Sequence, residues 1–273
     1  GLCTPANLGG FIRDDTLTSV RRYASIMDDF IAKGKEIPTL LLSRKFAMDV
    51  AGKVIFGTSL GGLDNLEYTP RERAFDQSQM HIVFRSVAPK SRTLNWFLFP
   101  QERRHQRNVK LISAYINAVI DKRLKENDPK KRDMLQVYIN NNEPRNILYD
   151  MVLSFMSASR DNISGTLAFA LSYLAANPDK QTKLREILRS SGIKRNDTDG
   201  MLEFHPSDKV PYLENVLTET LRLSPAVFID GKEAMVDDVL PSGQRIPKGT
   251  MVFMDIYAMG RDEKRYAPDP NVF

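Results

Sequence analysis

Cysteine and histidine are scarce in this chain of 273 residues, which contains one cysteine and three histidines. A single cysteine, Cys3, excludes a framework of internal disulfide bonds and favours a reducing, intracellular environment. His81, His105 and His205 lie too far apart in sequence for the ligand spacing of common zinc sites, and we interpret each as a surface or partly buried side chain. We therefore predict no histidine-based metal site.

Long hydrophobic runs and a concentration of charge are also missing. No apolar run reaches the roughly 18 residues needed to span a membrane, and the first residues do not resemble a signal peptide. The net charge is +5, but the basic residues are spread along the chain. The densest group, QERRHQRN at 101–108, is interpreted as a solvated helix face. We therefore expect no nucleic-acid partner.

Most of the chain instead has hydrophobic residues at helical spacing. The predicted helices cover residues 20–34, 39–57, 71–89, 104–126, 146–176, 178–190 and 209–223. Asn177 and Pro178 indicate a helix start with Asn177 as the N-cap. Residues 86–100 mix breakers with large apolar groups, which predicts a loop with short helical turns.

The pattern changes after Pro225, where β-branched pairs and the turn sequences PSG and PKG predict two or three short strands. We therefore expect a mainly α chain with a small β-sheet, an α+β fold. Residues 1–273 are predicted to form a single domain, with a helical body at about 11–224 and the sheet region at about 226–258.

One predicted helix carries polar residues in the middle of an apolar stretch. SFMSASRDNISGTLAFALSYL, residues 154–174, contains Arg160, Asp161 and Asn162 among small and apolar side chains. A buried carboxylate without a partner is costly, and a small residue such as Ala158 lets another group approach the backbone. Either this helix is kinked for packing alone, with Asp161 paired to Arg160 or another cation, or the polar residues serve a function.

A second helix carries Glu219 and Arg222 in LTETLRLSPAV, three residues apart on one face. The same spacing at Glu186 and Arg189 is interpreted as a solvated surface pair. The helix around Glu219 is largely apolar and leads directly into the predicted strands. A buried pair would need further hydrogen bonds to offset its desolvation. Glu219 and Arg222 are thus either a surface ion pair or part of a larger network.

In their order along the chain, these segments resemble the cytochrome P450 family of haem-thiolate monooxygenases. SASRDNISGT is similar to the distal helix of that family, whose usual form is A/G-G-x-D/E-T-T/S, and ETLR is similar to its E-x-x-R helix. LPSGQRIPKGT and YAMGRDEKRYAPDPNVF resemble the small sheet and the approach to the P-E-R-F segment. The resemblance covers roughly residues 11 to 273 and is strongest for the microsomal branch that hydroxylates fatty acids and alkanes.

The resemblance implies haem b as cofactor and assigns catalytic roles on the distal helix. Ala158 would let the porphyrin and oxygen come close, departures from regular helix bonding would open a groove, and Asp161 would help to deliver protons. Asn162 stands where the family has an alcohol, and an amide cannot readily lose and regain a proton. We therefore expect weakened or leaky oxygen activation.

Further residues receive roles by the same resemblance, and for each the alternative is ordinary packing or a solvated strand position. The substrate pocket would be lined from the distal helix and from the segment after the E-x-x-R helix, and Glu219 and Arg222 would form a structural ion pair. The pocket residues are Phe155, Ser157, Ala226, Val227 and Phe228, and Lys232 would reach a haem propionate.

Two features of the family are absent from the sequence: the F-x-x-G-x-R-x-C-x-G loop that supplies the thiolate ligand of iron, and the arginine of P-E-R-F that joins Glu219 and Arg222. Cys3 lies in GLCTPANLGG, which has none of that context, so no iron ligand is assigned. The family's N-terminal membrane anchor is missing too. We expect a chain incomplete at both ends and inactive alone.

For the complete protein, the resemblance implies insertion of one atom of O2 into a C–H bond of a lipophilic substrate such as a fatty acid. Electrons would come from NADPH through NADPH–cytochrome P450 reductase. The expected location is the cytosolic face of the endoplasmic reticulum membrane. The alternative is a truncated, non-catalytic P450-like chain that does not bind haem.

Overall fold

The computed structural model of the chain describes residues 13–87, 92–126, 128–131, 133–192, 210–266 and 268–273. These residues form ten α-helices and four short β-strands. The helices are α1 (Arg13–Ala32), α2 (Thr39–Phe56), α3 (Pro70–Val87), α4 (Arg92–Leu98), α5 (Pro100–Glu126), α6 (Met134–Asn140), α7 (Arg145–Ala176), α8 (Pro178–Ser190), α9 (Pro211–Leu223) and α10 (Ile256–Met259). Cys3 and His205 lie outside the described residues.

The described residues fall into two compact units, 13–23 with 48–159 and 24–47 with 160–273. Helices α1, α2 and α7 each contribute residues to both units. Within the first unit, the core packs α2, α5, α6 and α7 around Ile55, Ile120 and Val152. Within the second, Leu184 of α8 and Val216 of α9 pack with Val210. The prediction of a single domain stays a prediction.

All seven predicted helices are present, and their ends differ by a few residues, the largest shift being that of α1, which starts at Arg13 instead of residue 20. Three short helices were not predicted as such. The first is α4, inside the segment predicted as a loop with helical turns. The second is α6, whose N-cap Asp133 accepts a hydrogen bond from Gln136 N at 2.9 Å. The third is α10, which has four residues. Helices this short have too few periodic positions to predict from sequence.

The predicted start of α8 is confirmed: Asn177 is the N-cap and Pro178 is the first helical residue, although the Asn177 side chain makes no capping bond and donates to Tyr173 O at 2.8 Å. Residues 101–108 are not a solvated face, because Glu102 and His105 are buried. The apolar residues of α5 and α9 are not all buried, since Val109, Leu217 and Leu221 are exposed.

The strands form two separate antiparallel pairs within the second unit, instead of the single small sheet of two or three strands that was predicted. Strand β1 (Ile229–Glu233) pairs with β4 (Met251–Asp255), with Gly231 opposite Phe253, and β2 (Asp238–Val239) pairs with β3 (Arg245–Ile246). A Cβ on Gly231 would lie 2.9 Å from the Phe253 ring, so a larger residue at this position would displace that ring. The mainly α fold with a small amount of antiparallel sheet is confirmed.

Among the described residues, we find no helix with the length and hydrophobicity required to span a membrane.

Candidate functional site

The polar residues of α7 form a pair of adjacent charges. The side chain of Arg160 is 3% exposed and that of Asp161 is 37% exposed, and Arg160 Nε lies 3.7 Å from Asp161 Oδ1. Asp161 therefore has a cation next to it, which is the arrangement expected if the helix served packing alone, yet its carboxylate also reaches the surface. Such a carboxylate can exchange protons with water, so the proton-delivery role stays a prediction.

Hydroxyl groups on α7 bond to its own backbone. Ser157 Oγ donates to Leu153 O at 2.8 Å, and Thr166 Oγ1 donates to Asn162 O at 2.8 Å. Bonds of this kind compete with the helix ladder and often bend helices. The helix nevertheless runs from residue 145 to residue 176 without interruption. These hydroxyl groups can therefore distort α7 locally. The groove that the family resemblance implies in this helix stays a prediction.

The remaining residues that we assigned to α7 differ in exposure. Ala158 and Asn162 are exposed, Phe155 is 37% exposed, and Ser157 is half-buried. Ser164 carries a hydroxyl two residues after Asn162, but it is buried and its Oγ lies 3.4 Å from Asp161 O. That contact turns the hydroxyl toward the helix backbone, so the structure offers no direct replacement for the alcohol at Asn162.

Glu219 and Arg222 form a bidentate ion pair on α9. Arg222 Nε donates to Glu219 Oε2 at 2.7 Å and Nη2 donates to Oε1 at 2.5 Å. The guanidinium also donates to the carbonyl oxygens of Gly260 and Pro270, each at 2.6 Å, and to that of Val272 at 3.0 Å. The side chain of Arg222 is only 9% exposed, so the pair belongs to a network and not to the surface.

The electrostatics of Arg222 follow from this network. The hydrogen bonds that Arg222 donates to the Glu219 carboxylate raise the pKa of Arg222, while burial opposes the shift. The ring of Tyr266 lies 4.7 Å from its guanidinium carbon, a favourable cation–π distance. A Cβ on Gly260 would collide with the backbone carbonyl of Arg222. The end of α9 and the segment 260–272 therefore approach too closely to accept any larger residue at that position.

The predicted substrate residues after α9 are exposed, with Val227 at 50% and Phe228 at 63%. Exposed apolar side chains at a loop suit contact with a lipophilic molecule, although single exposed apolar residues are common. Lys232 on β1 is also exposed, and its Nζ lies 3.4 Å from Asp230 Oδ2. This cation already has an anionic neighbour, and its role toward a propionate stays a prediction.

Sequence reasoning missed a buried charged cluster between α3 and α5. His81 Nε2 lies 2.6 Å from Glu102 Oε2, Arg85 Nε donates to the same oxygen at 3.3 Å, and the His81 ring stacks on His105 at 4.5 Å between centroids. Both histidines are buried, contrary to our interpretation. The signal was present in the helical spacing of the charged residues: His81 and Arg85 lie four residues apart on α3, and Glu102 and His105 lie three apart on α5.

Contacts within this cluster shift the pKa values of two of its members, Glu102 and His105. Hydrogen bonds from Arg85 and His81, with the charges of both, lower the pKa of Glu102 to about 2 against the opposing effect of burial. Burial, followed by the charges of His81 and Arg85, lowers the pKa of His105. No group of three or more histidine, cysteine or acidic side chains that would hold a metal ion occurs in the part of the chain that the structure describes.

Solved structures place this architecture in one class, the haem domain of cytochromes P450. The chain is similar to a crystal structure of a cytochrome P450 (CYP102L1), with a TM-score of 0.79 and 20% identity over 96% of this chain and 60% of that one. It is also similar to the cytochrome P450DA heme domain, with a TM-score of 0.76 and 18% identity over 99% and 57% of the two chains. These likenesses establish the fold.

The chain belongs to the cytochrome P450 family, because the family model described as Cytochrome P450 matches residues 7–273. It is 26% identical to Cytochrome P450 704B1 of Arabidopsis thaliana, over 96% of this chain and 59% of that protein. It is 29% identical to Cytochrome P450 52A3-A of Candida maltosa, over 88% and 50%. The chain spans about half the length of the curated relatives it matches. The predicted family is confirmed.

Proposed function

We propose that this chain is part of a haem-dependent monooxygenase that hydroxylates a lipophilic substrate such as a fatty acid. The observation that carries the proposal is the buried Arg222, which binds Glu219 and three carbonyl groups of residues 260–272. An arginine with this many charge-assisted bonds holds the end of α9 in one position. In a chain of the cytochrome P450 family, this is the arrangement expected of the E-x-x-R helix.

The described residues fit a haem on one side. Ala158 presents a small exposed side chain on α7, three positions before Asp161, which matches the distal pattern of the family. No cysteine occurs among residues 13–273, so the thiolate ligand has no candidate there. When bound, haem supplies the oxygen chemistry, and its axial ligand sets the reactivity of the iron. The residues of this chain would orient substrate and move protons.

The substrate class follows from exposed apolar side chains and from sequence likeness. Val227 and Phe228 are exposed after α9, and burying such surface against an aliphatic chain contributes roughly 25 cal/mol per Å². The strings YAMGRDE and DDVLPSG support the branch that hydroxylates fatty acids and alkanes. We further propose that electrons come from NADPH through a reductase, and that the complete protein works at the endoplasmic reticulum membrane.

The test is a reconstituted assay of the full-length protein with a reductase, NADPH, O2 and a fatty acid. We expect a hydroxylated product that forms only when both NADPH and O2 are present. A preparation that binds haem but yields no hydroxylated product from fatty acids, alkanes or alcohols would overturn the substrate class. A full-length preparation that binds no haem would instead support the alternative, a non-catalytic chain with a P450-like scaffold.

A further inference from the structure

The loop that follows α9 is fixed at both ends within the second unit. At its start, Arg261 Nη2 donates to Leu223 O at 2.6 Å. At its end, Tyr257 N donates to Phe228 O at 3.1 Å. The exposed side chains of residues 226–228 lie between these two bonds. A short loop with fixed ends presents its side chains in few arrangements, so small changes at either end alter the surface.

Tyr173 of α7 adds a third bond at the start of this loop. Its hydroxyl lies 2.7 Å from Ser224 Oγ, and Ser224 is the C-cap of α9, with its N–H donating to Thr220 O at 2.7 Å. The Tyr173 ring stacks almost parallel on Phe273, with 4.9 Å between centroids and an interplanar angle of 12°. The ring is therefore held by packing, and its hydroxyl holds the residue at which the helix ends.

The backbone at Ser224 controls the direction of the loop. Ser224 has left the helical conformation, with φ −136° and ψ 72°. The next residue, Pro225, has a fixed φ and restricts the residue before it. A change in the backbone angles of Ser224 therefore moves Ala226, because Pro225 cannot change its φ to compensate. The hydrogen bond at the Ser224 side chain is therefore well placed to determine where residues 226–228 lie.

We propose that Tyr173 is a positioning residue, whose hydrogen bond to Ser224 sets the position of Ala226, Val227 and Phe228 against the substrate. The inference rests on the proposed function, because it takes these three residues to contact the lipophilic molecule. Tyr173 itself does not need to touch substrate. Its hydroxyl acts through Ser224, while its ring, stacked on Phe273, remains in place when the hydroxyl is removed.

The test compares Tyr173→Phe with Ser224→Ala in the full-length protein, measuring KM and the ratio of hydroxylation positions on one fatty acid. Each variant removes one partner of the same bond. A net hydrogen bond corresponds to a change of roughly two- to tenfold, so we expect KM to rise by that factor and the product ratio to shift. The double variant should resemble either single variant, because both remove one interaction. Ser224→Thr, which keeps the hydroxyl, should restore the wild-type values.

A matched control separates positioning from stability. Tyr149 OH lies 2.6 Å from Ser113 Oγ, another partly buried tyrosine–serine pair, in the first unit. Tyr149→Phe should lower the melting temperature about as much as Tyr173→Phe and leave the product ratio unchanged. If Tyr173→Phe likewise lowers only the melting temperature, with KM and product ratio as in the wild type, its role is structural and the proposal is wrong.

Hydrogen exchange provides a readout that does not depend on activity. In Tyr173→Phe, we expect the backbone amides of Ser224 and Tyr257, which bond to Thr220 O and Phe228 O, to exchange roughly two- to tenfold faster, and in Tyr149→Phe to exchange as in the wild type. Unchanged exchange in Tyr173→Phe would overturn the inference even if the enzyme were active. Faster exchange in a protein that oxidises no lipid would contradict the proposed function and leave the positioning by Tyr173 supported.

Discussion

Asn162 is the residue at which this chain departs most clearly in its chemistry from the distal helix of the family. Asn162 is exposed on α7, and its backbone carbonyl oxygen accepts a hydrogen bond from Thr166 Oγ1 at 2.8 Å. An amide can donate and accept hydrogen bonds but does not readily release a proton at neutral pH. The position at which the family resemblance predicts a proton-relaying alcohol is therefore occupied by a group that hydrogen-bonds without readily releasing a proton.

The variant Asn162→Thr should increase the product formed per NADPH consumed, because the hydroxyl restores a group that can lose and regain a proton. The measurement is coupled product and NADPH quantification in the full-length protein. Asn162→Val, which has the shape of threonine without the hydroxyl, is the control and should not improve the ratio. Equal ratios in Asn162→Thr and the wild type would show that this position does not limit proton delivery.

The buried cluster of His81, Arg85, Glu102 and His105 makes stability depend on pH. The pKa of His105 is lowered in the fold, from an ordinary value of 6.5, so the unfolded chain binds this proton more readily. Stability from His105 is therefore complete above about pH 6.5 and is lost as the pH falls below it. Glu102, with its pKa near 2 against an ordinary 4.5, adds a second loss below about pH 4.5.

Melting temperatures measured between pH 8 and pH 5 should fall with decreasing pH in the wild-type protein. His105→Phe keeps an aromatic ring to stack on His81 and removes the titrating group, so its melting temperature should depend less on pH across this range. The control is Glu102→Gln, which should lower stability at pH 7. Because the Glu102 charge opposes the lowering of the His105 pKa, the loss of stability below about pH 6.5 should persist in this variant. A His105→Phe curve parallel to wild type would contradict this account.

At the scale of helices, two glycines with opposite surroundings test the packing of α9. Gly260 follows α10, and a Cβ there would collide with the carbonyl oxygen of Arg222, whereas a Cβ on Gly165 of α7 would meet nothing within 4 Å. Overpacking of this kind costs about 1–3 kcal/mol. A helical glycine replaced by alanine in open space instead stabilises by roughly 0.5–1 kcal/mol.

Gly260→Ala should therefore lower the free energy of unfolding, and Gly165→Ala should raise it slightly. Thermal or denaturant unfolding of both variants, followed by circular dichroism, measures the two signs in one experiment. If Gly260→Ala were as stable as wild type, the segment at residue 260 would be able to move away from Arg222. The hydrogen bonds from Arg222 to Gly260 O and Pro270 O would then not fix the position of α9.

The helices and strands differ in how well the sequence predicted them. The long helices were predicted because apolar side chains recur at helical spacing over several turns, as in α7. The short helices α4 and α6 carry too few such positions. The separation into two strand pairs was not predictable either, because pairing depends on which distant strand lies alongside, as Gly231 opposite Phe253 shows.

At the scale of the whole molecule, the sequence contains no thiolate in the context that binds haem iron. Residues 1–273 expressed by themselves should therefore give no reduced carbon-monoxide band typical of thiolate-ligated haem, while the full-length protein should give one. The measurement is a reduced difference spectrum with added haem. Observation of the band with residues 1–273 would contradict the ligand assignment, and Cys3→Ser would then show whether Cys3 supplies the thiolate.

The amino-acid sequence by itself determined the family, the helical segments and the positions of the distal and E-x-x-R helices, because these depend on local periodicity and on the order of short motifs. Tertiary structure alone decided which charges are buried and what they bind. Arg222 meets carbonyl groups almost fifty residues away in sequence, and Glu102 meets His81 on the preceding long helix. Burial arises from contacts between distant segments, and the periodicity of a single segment does not specify which distant segment it will meet.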